Sequence, residues 1–383
     1  MEKQLITACT SAERACTQLS EIIKEKIWRN GPIAFQEYME MALYYPQLGY
    51  YTSDRDKIGP KGDYYTSTNL STVFGAMIGR QLEEMWNLMG RGTFTIVEYG
   101  AGTGALCHDV LQYLKGNQLF YDQLRYCIIE KSPFMRKTEK AYLPGEKVSW
   151  YDSIAAIGPV TGCILSNELL DNFSVHEVVM ADELMEVYVG YENGFFELLR
   201  PASEALKSYM KELHIVLSKG FRTEVNLQAI DWMKEIAWSL KKGFVLTIDY
   251  GYPSAELYSQ YQCNGTLICY HEHRINVDPY RHIGEQDITS HVNFSALDHW
   301  GSISGLECCG FTEQGHFLRS LGLMDYLRTE EQKKEDNFSS SPEKAAAIHY
   351  LLNGIGTKLK IFIQRKGVTP KELMGFSLIR MAI

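Results

Sequence analysis

Residues 95–106 have the sequence TIVEYGAGTGAL, and this stretch decides the fold. A short apolar run ends in the acidic Glu98, and three glycines at alternate positions follow: Gly100, Gly102 and Gly104. A helical spacing of apolar residues then begins at Leu106. The pattern predicts a strand, a tight turn and a helix. Such a turn lets a nucleotide-like ligand lie against bare backbone, with the helix N-terminus beneath it.

The glycine spacing alone leaves three interpretations open. Gly100, Gly102 and Ala105 also satisfy a relaxed NAD-binding pattern, and a glycine-rich turn can bind nothing at all. Glu98 stands where dinucleotide-binding strands are usually apolar, and a carboxylate there gives no help to a pyrophosphate. A cationic ligand without phosphate, such as S-adenosylmethionine, fits this acidic residue better.

Composition limits the class of protein. The 383 residues are 45% apolar and 22% charged, as in an ordinary globular chain, and the formal net charge of −9 argues against broad nucleic-acid binding. No apolar run reaches the roughly 20 residues of a membrane span. The nine cysteines contain no CxxC pair, and the first residues lack a signal or an arginine-rich transit pattern. We therefore expect a reduced, cytoplasmic protein; the oligomeric state stays open.

Alternating strand and helix patterns predict an α/β fold, a doubly wound parallel sheet of the Rossmann-like type. An inserted antiparallel meander interrupts it after residue 175, with a hairpin turn at Asn193 and Gly194. The predicted ranges are a helical arm with a cofactor-covering loop (1–90), the first part of the core (91–174), the inserted meander and helix (175–225), and the remainder of the core (226–383), which includes a His/Arg-rich loop (265–291).

Several element boundaries follow from periodicity. The chain predicts helices at 73–88, 134–141, 204–217 and 226–240, strands at 148–151, 162–166, 244–251, 311–317 and 358–365, and a charged loop at 328–343. The tyrosine- and glycine-rich stretch 44–67 is long for a compact domain, and such stretches are often functional. Its tyrosines either pack on the core or cover the cofactor.

Polar side chains recur where predicted strands end, which is where open α/β sheets bind ligands. These residues are Glu98, Glu130, Asp152, Asn167, Glu168 and Asp249. A carboxylate at the position of Glu130 suits the two adjacent hydroxyls of a ribose.

The segment Asn167 to Asp171 has two interpretations. Glu168 at a strand end can hold a guanidinium and keep one nitrogen lone pair available for attack. Glu168 and Asp171 can instead cap the helix that begins there. We take Glu168, Asn167 and Asp171 as the candidate catalytic residues.

The histidine-rich stretch invites a metal interpretation, because His271 and His273 would share one face of a strand. No third ligand has convincing spacing, so we predict no metal site and expect a substrate-facing or structurally paired polar loop. No nucleophile elbow of the G-x-S-x-G type is present, which leaves hydrolase chemistry without support.

Taken together, the motifs resemble the MidA-like family of S-adenosylmethionine-dependent methyltransferases, whose mitochondrial members are arginine methyltransferases acting in complex I assembly. The resemblance covers nearly the whole chain in order. It is carried by GPIAF (31–35), LGYY (48–51), GDYYTS (62–67), EYGAGTG (98–104), SNELLD (166–171), IDYG (248–251) and DITSHVNF (287–294). Two positions depart from the family: Ala101 replaces a frequent proline, and Asn293 replaces an aspartate.

The resemblance implies a class I methyltransferase core with an inserted α+β subdomain and an N-terminal helical cover. By analogy, Glu98 and the glycine turn with Ala101 line the methionine part of the cofactor, Glu130 binds the ribose and Asp152 meets the adenine. Thr66 of the 62–67 motif also belongs to the implied cofactor set. Asn167 and Glu168 would face the transferred methyl group.

The resemblance implies methyl transfer to an arginine of a protein substrate. The alternative hypothesis is an S-adenosylmethionine-binding assembly or scaffold protein with little catalysis, and a weaker third is an NAD-binding protein. Both leading hypotheses require S-adenosylmethionine as the cofactor, so cofactor binding alone does not separate them.

Overall fold

The computed structural model describes residues 18–54, 57, 59, 62–63, 67–143, 145, 147–333 and 342–383. Its contacts divide the chain into two compact units, each discontinuous in sequence. The Rossmann unit comprises Tyr65–Leu169, Met233–Gly251 and Asp298–Ile383, and the meander unit comprises Met1–Tyr64, Leu170–Trp232 and Tyr252–Leu297.

Within the described residues, the strands are β1 (Ile33–Ala34), β2 (Phe94–Tyr99), β3 (Leu124–Ile129), β4 (Val148–Tyr151), β5 (Val160–Asn167), β6 (His176–Met180), β7 (Leu184–Tyr191), β8 (Phe195–Pro201), β9 (Arg222–Val225), β10 (Leu240–Tyr252), β11 (Ile268–His271), β12 (Arg274–Asn276), β13 (Asp287–Thr289), β14 (Val292–Asn293), β15 (Glu307–Glu313) and β16 (Leu359–Lys366). The α-helices are α1 (Gln18–Asn30), α2 (Phe35–Tyr44), α3 (Ser67–Leu70), α4 (Thr72–Leu88), α5 (Ala105–Leu114), α6 (Gln118–Gln123), α7 (Pro133–Tyr142), α8 (Glu204–Glu212), α9 (Leu227–Ser239), α10 (Ser254–Leu257), α11 (Phe294–Ile303), α12 (Gln314–Ser320), α13 (Leu323–Lys333), α14 (Pro342–His349) and α15 (Ile355–Lys358). Short 3₁₀ helices lie at Ile154–Ala156, Leu170–Asn172, Gln260–Gln262 and Met374–Phe376, with a π-helical turn at Tyr350–Gly354.

The Rossmann unit is built on one large sheet with the order β15-β16-β10-β5-β2-β3-β4. The five strands from β10 to β4 are parallel, and β16 pairs antiparallel with both β10 and β15. The class I methyltransferase fold is confirmed, although one reversed strand, β16, makes the sheet mixed rather than wholly parallel. The parallel register aligns the strand ends at Tyr99, Ile129 and Tyr151.

Burial on both faces explains why these strands are nearly continuous apolar runs. In β5 the residues from Gly162 to Ser166 are all buried, and in β10 burial is continuous from Phe244 to Asp249. Gly162 has φ +147°, and a Cβ there would come within 2.1 Å of the Thr95 carbonyl oxygen of β2. Only glycine therefore permits this close approach of β5 to β2.

The meander unit contains the predicted antiparallel strands. β7 pairs with β6 on one side and β8 on the other, and the β7–β8 hairpin turns at Asn193 and Gly194 as expected. β1 joins the edge of β7 by pairing Ile33 with Val189, and β9 pairs with β6. A second small sheet has the order β12-β11-β13.

A cluster of buried charges ties the larger sheet of the meander unit together. The Arg222 guanidinium of β9 donates two parallel hydrogen bonds of 2.8 Å to the carboxylate of Glu197, and it also pairs with Glu177 of β6. Glu224 accepts hydrogen bonds of 3.0 Å from the backbone N–H of Thr266. Fork-like pairing of this kind gives an arginine both strength and fixed geometry.

Some predicted boundaries are wrong. The strand expected at 311–317 is β15, which starts at Glu307 and gives way to α12 at Gln314. The helix expected at 204–217 ends at Glu212. The charged stretch 328–343 was expected to be a loop, yet its described ends belong to α13 and α14. The errors at α12 and α13 share a cause: Phe317 and Leu327 pack in the core, and tertiary packing overrides the local sequence preference.

Among the described residues, no helix has the length and apolar character needed to cross a bilayer.

Candidate functional site

The glycine turn joins β2 to α5 as predicted. Gly100, Gly102 and Gly104 all have left-handed backbones, with φ of 63°, 59° and 83°. Residues with a Cβ adopt this conformation at a cost, so the turn depends on its three glycines. The N–H of Gly100 donates to the carbonyl of Ile129 at 2.9 Å, which anchors the turn to β3. Helix α5 then begins at Ala105, and its first amides point back toward the turn.

Glu98, which precedes the turn, is 2% exposed. Its Oε2 accepts a hydrogen bond of 2.6 Å from the hydroxyl of Tyr126 in β3. Burial raises the pKa of Glu98 to about 7, and the hydrogen bond from Tyr126 opposes that rise. Burial favours the protonated, uncharged form of this carboxyl. The site therefore favours a cationic ligand group, because a nearby positive charge would restore the ionised form.

Glu130 and Asp152 follow the ends of β3 and β4, and one arginine links them. Arg136 of α7 donates hydrogen bonds to the carbonyl of Glu130 at 2.6 Å, to the carbonyl of Tyr151 at 3.1 Å and to the Asp152 carboxylate at 2.7 Å. The Glu130 carboxylate accepts a hydrogen bond of 2.6 Å from the N–H of Ser132. Burial raises the pKa of Glu130, whereas Asp152 is exposed. No pattern in the sequence indicated a role for Arg136, since a charged helix residue usually faces solvent.

Glu139 is a buried acid that the sequence did not single out. It lies on α7, and its Oε2 accepts a hydrogen bond of 2.7 Å from the indole N–H of Trp150 in β4. Burial raises the pKa of Glu139 to about 9, and the charges of Glu130 and Glu98 act in the same direction. In the sequence, Glu139 is one more polar residue of a polar helix. Its burial could not be predicted without knowing which residues of other elements pack against it.

Asn167 and Glu168 stand at the carboxyl end of β5. Glu168 has φ +49°, a conformation that costs a residue with a Cβ and is often found at functional sites. Its N–H donates to the carbonyl of Ile248 at 2.8 Å, and Asn167 Nδ2 donates to its Oε1 at 3.3 Å. Burial and the nearby Asp249 carboxylate raise the pKa of Glu168 to about 8. Asp249 itself accepts from the N–H of Leu169 at 3.1 Å.

Two predicted site residues, Asp171 and Thr66, remain predictions. Asp171 lies in the 3₁₀ helix Leu170–Asn172 of the meander unit, where its carboxylate accepts a hydrogen bond of 2.8 Å from the side chain of Asn172. Thr66 falls outside the described residues. The helix expected to begin after Glu168 is the short 3₁₀ helix Leu170–Asn172, which contains Asp171 itself.

Motifs of the meander unit meet in a polar network. The Tyr50 hydroxyl donates to Asp63 at 2.8 Å, and the other oxygen of Asp63 accepts from the N–H of Glu272 at 2.7 Å. The Tyr51 hydroxyl lies 2.9 Å from both carboxylate oxygens of Asp287. Tyr50 is fully buried, so this part of the tyrosine-rich stretch packs on the core of its own unit.

Asn293, where the family resemblance led us to expect an aspartate, is buried and fully bonded. Its Nδ2 donates to the hydroxyls of Tyr209 at 2.9 Å and Tyr258 at 3.4 Å, and its Oδ1 accepts from Ser254 at 3.1 Å. These contacts give Asn293 a structural role in the meander unit, and its side-chain amide supplies both the donors and the acceptor that they need.

The histidine-rich stretch differs from its prediction. His271 ends β11, whereas His273 lies in the following turn with φ +60°, so the two do not share a strand face. Ligand atoms of His271, His282 and Glu285 lie within 4.8 Å of one another, so a third group is nearby after all. The two imidazoles are stacked with an interplanar angle of 3° and centroids 4.1 Å apart. The two rings therefore pack face to face, with Glu285 beside them.

The site of the Rossmann unit therefore combines a left-handed glycine turn with several acidic groups at the carboxyl end of one sheet. Glu98, Glu130 and Glu168 would repel a pyrophosphate and attract a cation. This charge pattern favours a nucleoside with a positive centre over a dinucleotide. A family model for S-adenosyl-L-methionine-dependent methyltransferases matches residues 77–312 of the chain.

The chain belongs to this methyltransferase family. It is an S-adenosyl-L-methionine-dependent methyltransferase, and S-adenosyl-L-methionine is its cofactor. A crystal structure of a Burkholderia thailandensis protein bound to S-adenosyl-homocysteine matches 95% of this chain and 95% of that chain, with 29% identity and a TM-score of 0.85. The methyltransferase interpretation of the glycine turn is thereby confirmed, and the NAD interpretation is not supported.

Curated relatives are similar over most of their length. The mitochondrial protein arginine methyltransferase NDUFAF7 homologue of Drosophila melanogaster is 28% identical over 357 residues, covering 83% of this chain and 78% of the relative. The Homo sapiens protein arginine methyltransferase NDUFAF7 is 25% identical, covering 82% and 75%. These relatives are named as mitochondrial, so they contradict the cytoplasmic location inferred from the sequence. Cysteine usage and the lack of an arginine-rich start were insufficient grounds for that inference.

Proposed function

We propose that this methyltransferase transfers the methyl group to a guanidino nitrogen of an arginine side chain in a protein substrate. The observation that carries the proposal is the acidic pair Glu168 and Asp249 at the carboxyl end of the parallel strands. Two carboxyls in one place repel each other unless a cation binds between or beside them, and a guanidinium matches a carboxylate with two N–H groups. The names of the curated relatives, each a protein arginine methyltransferase, support the same acceptor.

The residues present fit the cofactor. The Oδ1 atom of Asn167 is buried and accepts no hydrogen bond from the described chain, so a donor on a ligand would satisfy it. In the proposed arrangement the glycine turn, Ala101 and Glu98 hold the methionine part. Glu130 accepts hydrogen bonds from the ribose hydroxyls, and Asp152 meets the adenine. Thr66 is kept in this set on the family resemblance alone.

When bound, S-adenosylmethionine supplies a methyl group made electrophilic by its sulfonium. Glu168 orients the guanidinium by accepting two of its N–H groups, which leaves another nitrogen directed at the methyl carbon. Forming the new C–N bond while the C–S bond breaks releases one proton from the guanidinium. Glu168 is assigned as the proton acceptor, because its raised pKa makes it a stronger base than an exposed glutamate. Asn167 holds the Glu168 carboxylate by its amide.

The test is transfer from S-adenosylmethionine labelled in its methyl group to proteins of a cell lysate, followed by acid hydrolysis and amino-acid analysis. The proposal expects the label in methylarginine. Label in methyllysine, or label released as methanol from a methyl ester during hydrolysis, would contradict the acceptor, and a protein that labels no polypeptide would favour the scaffold hypothesis. Asp171→Asn completes the test of the predicted catalytic set, since transfer by this variant at the wild-type rate would remove Asp171 from it.

A further inference from the structure

Glu139 is a buried acid beside the glycine turn whose role the transfer reaction does not explain. It lies in the second turn of α7, and its side chain is 0% exposed. A Cβ placed on Gly104 would lie 3.7 Å from the Cα of Glu139, so the residue packs directly against the cofactor-binding turn. Carboxyls are rarely buried this fully without a strong partner, so the position calls for an explanation.

The two oxygens of Glu139 have different surroundings. Oε2 accepts the 2.7 Å hydrogen bond from the Trp150 indole, whereas Oε1 is buried and accepts no hydrogen bond from the described residues. An ionised carboxylate would leave Oε1 without a donor at the full cost of desolvation. A proton on Oε1 removes that cost and turns the oxygen into a hydrogen-bond donor.

The acceptor for this proton is the neighbouring acid. A side-chain hydrogen bond from Glu139 acts to lower the pKa of Glu130, and Arg136, one turn before Glu139 on α7, binds the carbonyl of Glu130 at 2.6 Å. The charged groups that act on Glu139 are Glu130 after β3, Glu98 of β2 and Arg136 one turn earlier on α7. Burial and the two glutamates raise the pKa of Glu139 to about 9 against the opposing effects of Trp150 and Arg136. Two adjacent carboxyls share one proton, and it stays on the more deeply buried group.

We propose that Glu139 is a protonated carboxylic acid in the working enzyme, and that it positions Glu130 for the cofactor ribose by donating a hydrogen bond to the Glu130 carboxylate. The inference rests on the ribose-binding role proposed for Glu130. Glu139 is a positioning residue and does not itself touch the cofactor in this scheme.

The protonated acid has two effects on Glu130. It supplies a second donor beside the N–H of Ser132, which restricts the rotation of the Glu130 carboxylate. It also keeps Glu130 ionised, and an ionised carboxylate is a stronger acceptor for ribose hydroxyls than a neutral one. When Glu139 loses its proton, the donor is replaced by a repelling charge. Binding of a ribose should then weaken.

The experiment measures binding of 5′-methylthioadenosine by calorimetry at pH 7 and pH 10. This probe contains the ribose and adenine but no amine that titrates in that range. For the wild type, we expect the dissociation constant to rise about tenfold between the two pH values, the effect of losing one charge-assisted hydrogen bond. Glu139→Gln keeps a neutral donor of the same shape, so its affinity should match the wild type at pH 7 and stay within about threefold at pH 10.

Two further variants sharpen the result. Glu139→Leu lacks any donor and should bind about tenfold more weakly at pH 7, with no further loss at pH 10. Glu84→Gln changes another acid of the Rossmann unit, one that accepts from the N–H of Met374, and should keep the wild-type pH profile. Circular dichroism checks that each variant is folded.

The inference is overturned if Glu139→Gln loses affinity at pH 10 as the wild type does, or if the wild type binds equally at both pH values. If Glu139→Leu does not fold, the comparison of the wild type with Glu139→Gln still decides. These binding results are independent of the acceptor, because no methyl transfer is measured.

Discussion

Buried carboxyls occur in both units of this protein, and their surroundings differ. In the meander unit, Arg222 is shared by Glu177 and Glu197, and Glu224 is held by the amides and hydroxyl that begin at Thr266. In the Rossmann unit, the hydrogen bonds to buried glutamates come from neutral side chains: a tyrosine hydroxyl for Glu98 and an indole for Glu139.

This contrast separates two uses of a buried acid. A carboxylate neutralised by an arginine within its own sheet is already satisfied, so its role is structural. A carboxyl buried with weak neutral donors stores an unfavourable energy that a cationic ligand or a proton relieves. The first kind should therefore respond to mutation through stability, and the second kind through ligand binding, catalysis and pH.

The largest effect is expected at Glu168. Replacing Glu168 with glutamine removes the carboxylate that orients the guanidinium and takes its proton, so kcat should fall by about 10²- to 10⁴-fold. The affinity for S-adenosylhomocysteine should stay within about threefold, because the glycine turn and Glu130 are unchanged. Transfer assays and calorimetry measure the two quantities. Asp182→Asn, at a fully exposed aspartate, is the control and should leave both unchanged. An unchanged kcat in Glu168→Gln would contradict the functional role assigned to the buried acids of the Rossmann unit.

In the meander unit, Arg222→Met should lower the free energy of unfolding by about 3–5 kcal/mol, because it leaves the buried Glu177 and the partly exposed Glu197 without their cation. Urea unfolding measures the change. Lys219→Met removes an exposed partner of Asp182 and provides the matched control, which should leave the free energy of unfolding nearly unchanged. Equal losses in the two variants would show that the Arg222 cluster contributes no more than a surface ion pair.

Glu98→Gln tests whether a buried acid of the Rossmann unit makes the stability of the protein depend on pH. The folded pKa of Glu98 is raised by burial to about 7 from 4.5, so the folded state retains a proton that the unfolded chain loses. Wild-type stability relative to Glu98→Gln should therefore be highest below pH 4.5, fall as pH rises to about 7, and stay constant above that. The total change is at most about 3 kcal/mol. Urea unfolding at pH 4, 6 and 8 follows it. A difference that does not vary with pH would contradict the raised pKa.

The smallest effect is expected for Gly104→Ala. Gly104 and Gly158 have nearly equal φ of 83° and 84°, so alanine at either position should reduce stability by about 1 kcal/mol. A Cβ on Gly104 would meet Leu143 at 3.1 Å, while Gly158 has open space around it. Only Gly104→Ala should also weaken binding of S-adenosylhomocysteine. Calorimetry measures the affinity of both variants, and equal affinities would show that Gly104 does not contribute to cofactor binding.

Local patterns in the sequence were enough to predict the glycine turn, the parallel strands around it and the hairpin at Asn193. Each depends on residues adjacent in the chain, such as alternating apolar positions or a glycine needed for a positive φ. The acidic residues that follow the strands were also predicted, because the carboxyl ends of parallel strands meet at one edge of the sheet.

Residues whose role depends on distant neighbours were missed. Glu139 is buried because Trp150 and Glu130, which follow other parts of the fold, lie against it. No pattern in the sequence around α7 indicates this burial. The stacked pair of His271 and His282 likewise depends on the path of a loop. The assignment of roles to Glu98, Glu130, Asp152, Thr66 and the catalytic residues, and the four predicted domain ranges, remain predictions.

The pairing of β1 with β7 has a consequence for the making of the protein. Ile33 pairs with Val189, so more than 150 residues must be synthesised before β1 meets its partner strand. At about 5–20 residues per second, that delay is roughly 8 to 30 s. During this time the apolar faces of β1 and α2, including Phe35 and Met39, have no completed core to cover them. We therefore expect the first segment of the meander unit to expose apolar surface until β7 is made, while β2 to β5 can already begin to pair.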